Sequence, residues 1–177
     1  MTEYSMGYYL GAGAGVIVGL ILIAVVFKFV RKDGSYRCKY DERQELVRGR
    51  GFKYGFLTML IYQAGVTFFG NMLEGFIELN ILSMIGICLG MVVYATYSIW
   101  NDGYVAVNEN PQRLMIVFGG VSILNLIIGI RNGIEGKICI DGIVSYGAVN
   151  VVCGILLLII FVEMIMKYVC IKNKDER

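Results

Sequence analysis

The chain has no histidine, one proline and one tryptophan, and only 17% of its 177 residues are charged. The absence of histidine removes the commonest general acid or base and a preferred zinc ligand. The five cysteines form no Cys-x-x-Cys pair, which argues against a metal or redox centre built on that motif. We therefore expect no metal, no cofactor and no catalytic residue, in a protein that is not an enzyme.

Apolar residues are correspondingly abundant. Hydrophobic residues make up 57% of the chain before its 23 glycines are counted, whereas a soluble domain has about 45–50% with glycine included. A water-soluble domain of this size could not hide so much apolar surface. The composition predicts an integral membrane protein and excludes a disordered chain or a disulfide scaffold.

Five stretches carry no charged residue and are long enough for helices that cross a bilayer, which need about 20 mostly apolar residues. They are residues 4–27, 54–73, 79–101, 114–130 and 142–162. The predicted fold is an all-α bundle of five transmembrane helices in a single domain. Its spans are about 8–28, 54–73, 79–100, 113–130 and 143–168. A β-barrel does not fit, because a run such as Val16–Phe27 is apolar on every face.

The distribution of basic residues predicts the orientation. With the N-terminus outside, only Arg131 and Lys137 of the 16 Lys and Arg residues lie on the outer side. Basic residues concentrate on the cytoplasmic side of membrane proteins. We therefore expect a multi-pass protein of the cell membrane with an outer N-terminus and a cytoplasmic C-terminus. The leader Met1–Gly7 has no positive charge, so the first span is expected to stay as a helix rather than be cleaved as a signal peptide.

The segment 31–53 is the longest hydrophilic one and is predicted to be a cytoplasmic loop. Asp41 followed by Gln44 fits a variant of the helix capping box, so a short helix should lead into the second span. Seven of its residues are candidates for binding a cytoplasmic partner: Asp41, Glu42, Arg43, Gln44, Arg48, Arg50 and Lys53. The alternative is a juxtamembrane element that sets topology and touches anionic lipid head groups. Further along, Asn110-Pro111 suits the start of a helix.

Two strings in this region carry a family resemblance. They are Tyr-Asp-Glu-Arg-Gln at 40–44, followed by Arg-Gly-Arg-Gly-Phe-Lys-Tyr-Gly-Phe, and Asn-Glu-Asn-Pro at 108–111. With the later Asn125–Ile130 stretch, the chain resembles a group of small membrane proteins of Gram-positive bacteria over about residues 36–170. The group has no assigned activity, and some members are encoded beside small helix-turn-helix regulators. The resemblance implies a regulatory role in the membrane and assigns no catalytic residue.

Glycines recur every four residues in the first span, at Gly7, Gly11, Gly15 and Gly19, and once in the third span, at Gly86 and Gly90. This spacing places them on one helix face, where another helix can approach closely. For the first span we expect packing within its own bundle. A face for self-association or a glycine-lined pore is the alternative.

Acidic residues offer candidate polar sites. Glu74 and Glu78 are four apart at the outer end of the second and third spans, where they would either bind a cation or be solvated. Glu163 lies within the fifth span, where an ionisable residue is a functional candidate. Lys167 one turn later would make an ion pair with it, which is the structural alternative.

Together these features favour a non-enzymatic membrane protein that binds or regulates a partner through its cytoplasmic loop. The expected partners are the lipid bilayer and a cytoplasmic regulatory protein, without direct binding of nucleic acid. The alternative function is a small ion or solute transporter or channel subunit that acts as a homo-oligomer.

Overall fold

The computed structural model of the chain describes residues 3–33, 37–73 and 75–175. Five helices account for nearly all of it: α1 (Glu3–Val30), α2 (Glu42–Leu73), α3 (Leu79–Trp100), α4 (Pro111–Ile134) and α5 (Val149–Asp175). Between α4 and α5 lie an antiparallel hairpin, β1 (Cys139–Ile140) and β2 (Ile143–Val144), and a short 3-10 turn at Tyr146–Ala148. All five helices are long and apolar enough to cross a membrane, which confirms the predicted helical class and number of spans.

Two boundaries differ from those expected. The short helix expected before the second span is continuous with it, because α2 begins at Glu42 and runs without interruption through Gly49 and Gly51. The predicted loop 31–53 therefore ends at Asp41. The fifth span does not begin at residue 143, since residues 143–148 form β2 and the 3-10 turn. The Ser145 hydroxyl donates to the Lys137 carbonyl at 2.6 Å, which holds this segment outside the helix.

The two ends of the bundle differ in charge. One end contains the C-termini of α1, α3 and α5, the N-termini of α2 and α4, the linker 31–41 and the loop 101–110. It is called the basic end here, because most of the Lys and Arg residues lie there. The hairpin and the α2–α3 turn lie at the opposite end.

Helices α2 and α3 pack through glycine. A Cβ atom added at Gly55 would lie 2.5 Å from the Gly90 carbonyl oxygen, and one added at Gly90 would lie 2.9 Å from the Gly55 carbonyl oxygen. A Cβ atom at Gly86 would meet the Tyr62 ring at 2.5 Å. The predicted close packing at Gly86 and Gly90 is therefore confirmed, and small residues there let two backbones approach.

Helices α4 and α5 form a second close pair. The buried Ser122 hydroxyl donates to the Gly154 carbonyl at 2.9 Å, and Gly129 lies against Val151. Helix α3 also packs on α5, and this contact holds the apolar core: Cys88, Ala95, Ile99, Leu156, Ile160 and Met164. The order across the bundle is therefore α2, α3, α5, α4.

Helix α1 lies beside α4 and is largely exposed. Every residue from Gly13 to Val18 is exposed, and among the described side chains of α1 only the last, Val30, is buried. A Cβ atom at Gly11, Gly15 or Gly19 would meet no described atom within 4 Å. The prediction that this glycine face packs within its own bundle is thus wrong for these three residues. The surroundings of Gly7 lie outside the described part of the chain.

Candidate functional site at the basic end

Asn108 fastens the linker 31–41 to the loop 101–110. Its side-chain oxygen accepts from the Lys39 amide at 2.9 Å, and its side-chain nitrogen donates to the Arg37 carbonyl at 2.9 Å. Its own carbonyl accepts from the Lys32 amide at 2.8 Å. Through its side chain and its own carbonyl, Asn108 therefore satisfies backbone groups of Lys32, Arg37 and Lys39 in the linker.

Beside it lies a buried polar chain through Cys38. An Arg31 guanidinium nitrogen donates to the Cys38 sulfur at 3.0 Å, and the thiol donates to a Glu109 carboxylate oxygen at 3.4 Å. The other Glu109 oxygen accepts from the Ala106 amide at 3.0 Å. Arg31 and Glu109 are only 3% and 9% exposed. Buried charges of this kind persist when they are paired and hydrogen-bonded, so this chain of contacts locks the end of α1 to the loop 101–110.

The first turn of α2 has the predicted capping box. The Gln44 amide donates to the Asp41 carboxylate at 2.6 Å, and the Asp41 amide donates to the Gln44 side-chain oxygen at 3.3 Å. The Gln44 side-chain nitrogen donates in turn to the carbonyls of Asp102 and Val105, at 3.2 and 3.0 Å. The same glutamine thus caps α2 and joins it to the loop 101–110. Asn110 also caps α4 as expected, accepting from the Gln112 and Arg113 amides.

Arg48 also contacts residues of this chain, through two aromatic rings. Its guanidinium lies over the Tyr40 ring at 3.9 Å and near the Tyr94 ring at 5.9 Å. Burial raises the pKa of the Tyr40 phenol well above its ordinary value, although the charge of Arg48 opposes the shift. Tyr40 is therefore a neutral aromatic platform for a cation. Of the seven predicted partner-binding residues, Asp41, Gln44 and Arg48 thus serve the fold.

Asp102 connects three elements at the turn after α3. It has a positive φ of 62°, which Asp tolerates better than most residues. Its carboxylate binds the Lys167 ammonium at 2.9 Å and lies 3.8 Å from the Arg43 guanidinium. Lys167 also donates to the Trp100 carbonyl at 3.1 Å. The predicted pair of Glu163 with Lys167 is therefore wrong, because the turn after α3 offers Lys167 two acceptors at the end of the span.

Glu163 instead faces α3. One of its oxygens accepts from the Thr96 hydroxyl at 2.9 Å. The other oxygen is buried and has no hydrogen-bond partner among the described residues. A half-satisfied carboxyl group within a span is costly, so Glu163 remains a functional candidate.

The remaining predicted residues of the segment face outward. Glu42, Arg50 and Lys53 are exposed, together with Glu45 and Leu46. Within the described part of the chain, ion pairs reach none of these charged groups. They form one exposed face of residues 42–53, termed here the α2 extension face, with Glu42, Glu45, Leu46, Gly49, Arg50 and Lys53 around a shallow depression.

At the opposite end of the bundle, Glu78 has a structural role. The Glu78 carboxylate accepts from the Tyr146 amide at 3.0 Å, and the Glu78 amide donates to the Val144 carbonyl at 2.9 Å. Glu78 therefore joins the α2–α3 turn to the hairpin. Glu74 lies outside the described residues, so the predicted pairing of the two carboxylates is not tested. Among residues 3–33, 37–73 and 75–175, no cluster of acidic or cysteine side chains could hold a metal ion.

A charge cluster lies at the same end, between the last turn of α4 and β1. Glu135 binds the Lys137 ammonium at 2.6 Å and the Arg131 guanidinium at 2.7 Å. Hydrogen bonds from these two cations lower the pKa of Glu135 to about 2. The two basic residues that were predicted to lie outside are thus neutralised in part by one carboxylate.

Comparison of the chain with protein-family models, curated proteins and solved structures finds no match. The resemblance through residues 40–44 and 108–111 therefore stays a prediction. Both strings do meet at the basic end, where Gln44 and Asn108 make the contacts described above. Sequence reasoning missed Arg31, Cys38 and Glu109 as a unit. The available signal was a pair of opposite charges beside two predicted spans at the same end of the bundle, Arg31 after the first span and Glu109 before the fourth.

Proposed function

We propose that this chain is a non-enzymatic, multi-span protein of the cell membrane that holds a cytoplasmic partner protein on the α2 extension face. The observation that carries the proposal is Leu46, which is 66% exposed on a helix that has already left the apolar stretch. Leu46 precedes Tyr54 by eight residues, which is about 12 Å along a helix. An apolar side chain at that distance from the apolar stretch meets water unless a partner covers it.

The rigidity of the extension supports this proposal. Gln44 bonds to the loop 101–110, and a Cβ atom at Gly103 would lie 2.5 Å from Val47, so the inner side of the extension is tightly packed. The outer side carries Glu42 and Glu45 in the first turn and Arg50 and Lys53 beyond it. Acidic and basic groups thus flank Leu46 on a preorganised surface, which lowers the entropic cost of binding.

The orientation is part of the proposal, because the basic residues favour a cytoplasmic basic end. Native cysteines allow a direct test. Cys139 is exposed in the hairpin at the opposite end, so a membrane-impermeant maleimide added to intact cells should label it. A Cys139→Ser variant should lose that label. Labelling of Cys139 only after permeabilisation would reverse the orientation and place the α2 extension face outside.

Partner binding is tested by a photo-crosslinking side chain placed at position 46 in the native host. Position 107 provides the matched control, since Val107 is a 62% exposed apolar residue in the loop at the same end. We expect a defined adduct from position 46 that is absent from position 107 and weakened by Arg50→Glu. The same products at both positions, or an adduct that ignores Arg50→Glu, would refute the proposal.

Glu163 supports a second candidate, a small ion or solute transporter or channel subunit that works as an oligomer. Its buried, unpartnered oxygen is a polar group within a span, and such groups often mark ion pathways. Flux of protons and monovalent cations into liposomes that contain the protein should then fall in Glu163→Gln. Flux equal to that of empty liposomes removes this candidate.

A further inference from the structure

A cavity of about 340 Å3 opens at the basic end, between the loop 101–110 and the ends of α3, α4 and α5. Met115, Met164 and Ile171 contribute apolar wall, and Asp102, Lys167 and Tyr168 provide polar groups. Small-molecule sites have volumes of about 300–1,000 Å3, and they combine apolar walls with a few polar groups. The cavity is therefore large enough to hold part of an amphiphilic molecule.

Its depth in the bilayer follows from the helices that line it. The apolar part of α5 ends at Ile171, and that of α3 ends at Trp100. Ile171 and Ile99 both line the cavity. The cavity therefore lies where the spans leave the hydrocarbon region, so molecules of the adjacent lipid leaflet can reach it directly.

The charges of this polar rim favour an anion. The charged lining residues are Asp102 and Lys167, which pair at 2.9 Å. Arg43 does not line the cavity but lies 3.8 Å from the same carboxylate, so the three groups together leave one positive charge beside the cavity. The Lys167 ammonium has three N–H donors, and its partners are Asp102 and the Trp100 carbonyl. One N–H donor of Lys167 is thus available to a ligand.

Tyr168 adds a second donor. Its hydroxyl oxygen accepts from the Gln112 side chain at 3.0 Å, so its O–H hydrogen is available to a ligand. The Lys167 side chain lines the cavity and is 20% exposed. Apolar walls below and hydrogen-bond donors with positive charge at the rim match a molecule with an acyl chain and an anionic head group.

We propose that this cavity binds one anionic phospholipid of the adjacent leaflet. An acyl chain lies against Met115, Met164 and Ile171, and the phosphate accepts from Lys167 and Tyr168. Basic pockets between transmembrane helices on the cytoplasmic side are suited to such head groups. A zwitterionic lipid such as phosphatidylcholine also carries a cationic group, which the positive charge beside the cavity disfavours. The cavity should therefore select by head-group charge as well as by chain.

Native mass spectrometry of the full-length protein tests this proposal. The protein is exchanged into detergent with equal amounts of phosphatidylglycerol and phosphatidylcholine, and the occupancy of each lipid is counted. We expect one retained phosphatidylglycerol at about fivefold higher occupancy than phosphatidylcholine, in line with the contribution of one Lys near a membrane surface. Lys167→Gln should remove most of that preference, whereas Lys28→Gln, an exposed cation in the last turn of α1 at the basic end, should keep it.

Substitutions that fill the cavity distinguish a lipid bound inside it from a general electrostatic attraction of anionic lipids to the basic end. Ile171→Trp should abolish the retained lipid of either kind, because the larger ring occupies the space of the chain. The matched control is Met72→Trp, since Met72 is 74% exposed near the opposite end of α2. Circular dichroism and gel filtration identify any variant that fails to fold, and Met115→Trp then repeats the test from α4. Equal retention of both lipids in the wild type, or a retained lipid in the folded filled variants, would overturn the proposal.

Discussion

The most informative perturbation compares two glycine-to-alanine changes, Gly55→Ala in α2 and Gly15→Ala in α1. The added Cβ atom at position 55 lies 2.5 Å from the Gly90 carbonyl oxygen, which is backbone and cannot rotate away. At position 15 it meets no described atom within 4 Å. Overpacking of a tight contact costs about 1–3 kcal/mol.

The comparison cancels the effect of the residue change itself. Alanine favours a helix interior over glycine by about 1 kcal/mol in peptides, and this gain applies to both variants. We therefore expect Gly55→Ala to be less stable than Gly15→Ala by about 1–3 kcal/mol. Gly15→Ala should equal or slightly exceed the wild type.

Reversible unfolding in mixed micelles, followed by circular dichroism over increasing denaturing detergent, measures the difference. Gly90→Ala should behave like Gly55→Ala, because the two glycines meet at one crossing. Equal stability of Gly55→Ala and Gly15→Ala would refute the reasoning. Loss of stability in Gly15→Ala alone would mean that α1 packs against a partner helix in the micelle.

Three further predictions follow from single contacts. Asp41→Ala removes the cap of α2 and should destabilise its first turn by about 0.5–2 kcal/mol. The rate of amide hydrogen exchange should rise in residues 42–45 and stay unchanged in the core residues of α5. Ser122→Ala leaves the Gly154 carbonyl without its buried donor and should cost about 0.5–1.5 kcal/mol of unfolding free energy, whereas Ser83→Ala serves as a control in α3. The pKa of Glu135 is lowered from 4.5 to about 2 in the folded protein, so its contribution to stability is present above about pH 4.5 and is lost as the pH falls through about 2. The difference in melting temperature between wild type and Glu135→Gln should shrink over that range, and a difference independent of pH would contradict it.

Residues at the basic end show how far local patterns reach. Asp41 with Gln44 and Asn110 with Pro111 were predicted as helix caps and are found as such. Caps depend on residues within one turn of each other, so the chain alone specifies them. The same local reasoning failed for Lys167, whose acceptor Asp102 lies 65 positions earlier in the chain.

The glycine repeats of α1 and α3 also show that a local pattern does not predict which helix face is packed. Spacing every four residues predicts a smooth helix face equally well in α1 and in α3. Only the position of a neighbouring helix distinguishes Gly90, which touches Gly55, from Gly15, which faces no described atom. Lipid tails are as apolar as the helix face, so a helix face that contacts lipid is about as favourable as one that contacts protein. Composition therefore does not distinguish a packed glycine face from one that faces lipid.

The sequence by itself determined that this protein is a bundle of five apolar helices, because each span must satisfy its own backbone and shield it from lipid over about 20 residues. It also determined the caps and the accumulation of basic residues at one end. Tertiary structure alone decided that Asn108, Glu109 and Gln44 fasten the basic end together, that the α2 extension presents Leu46 outward, and that a cavity opens beside Lys167. These features depend on contacts between residues far apart in the chain, which only the packing of the helices brings together.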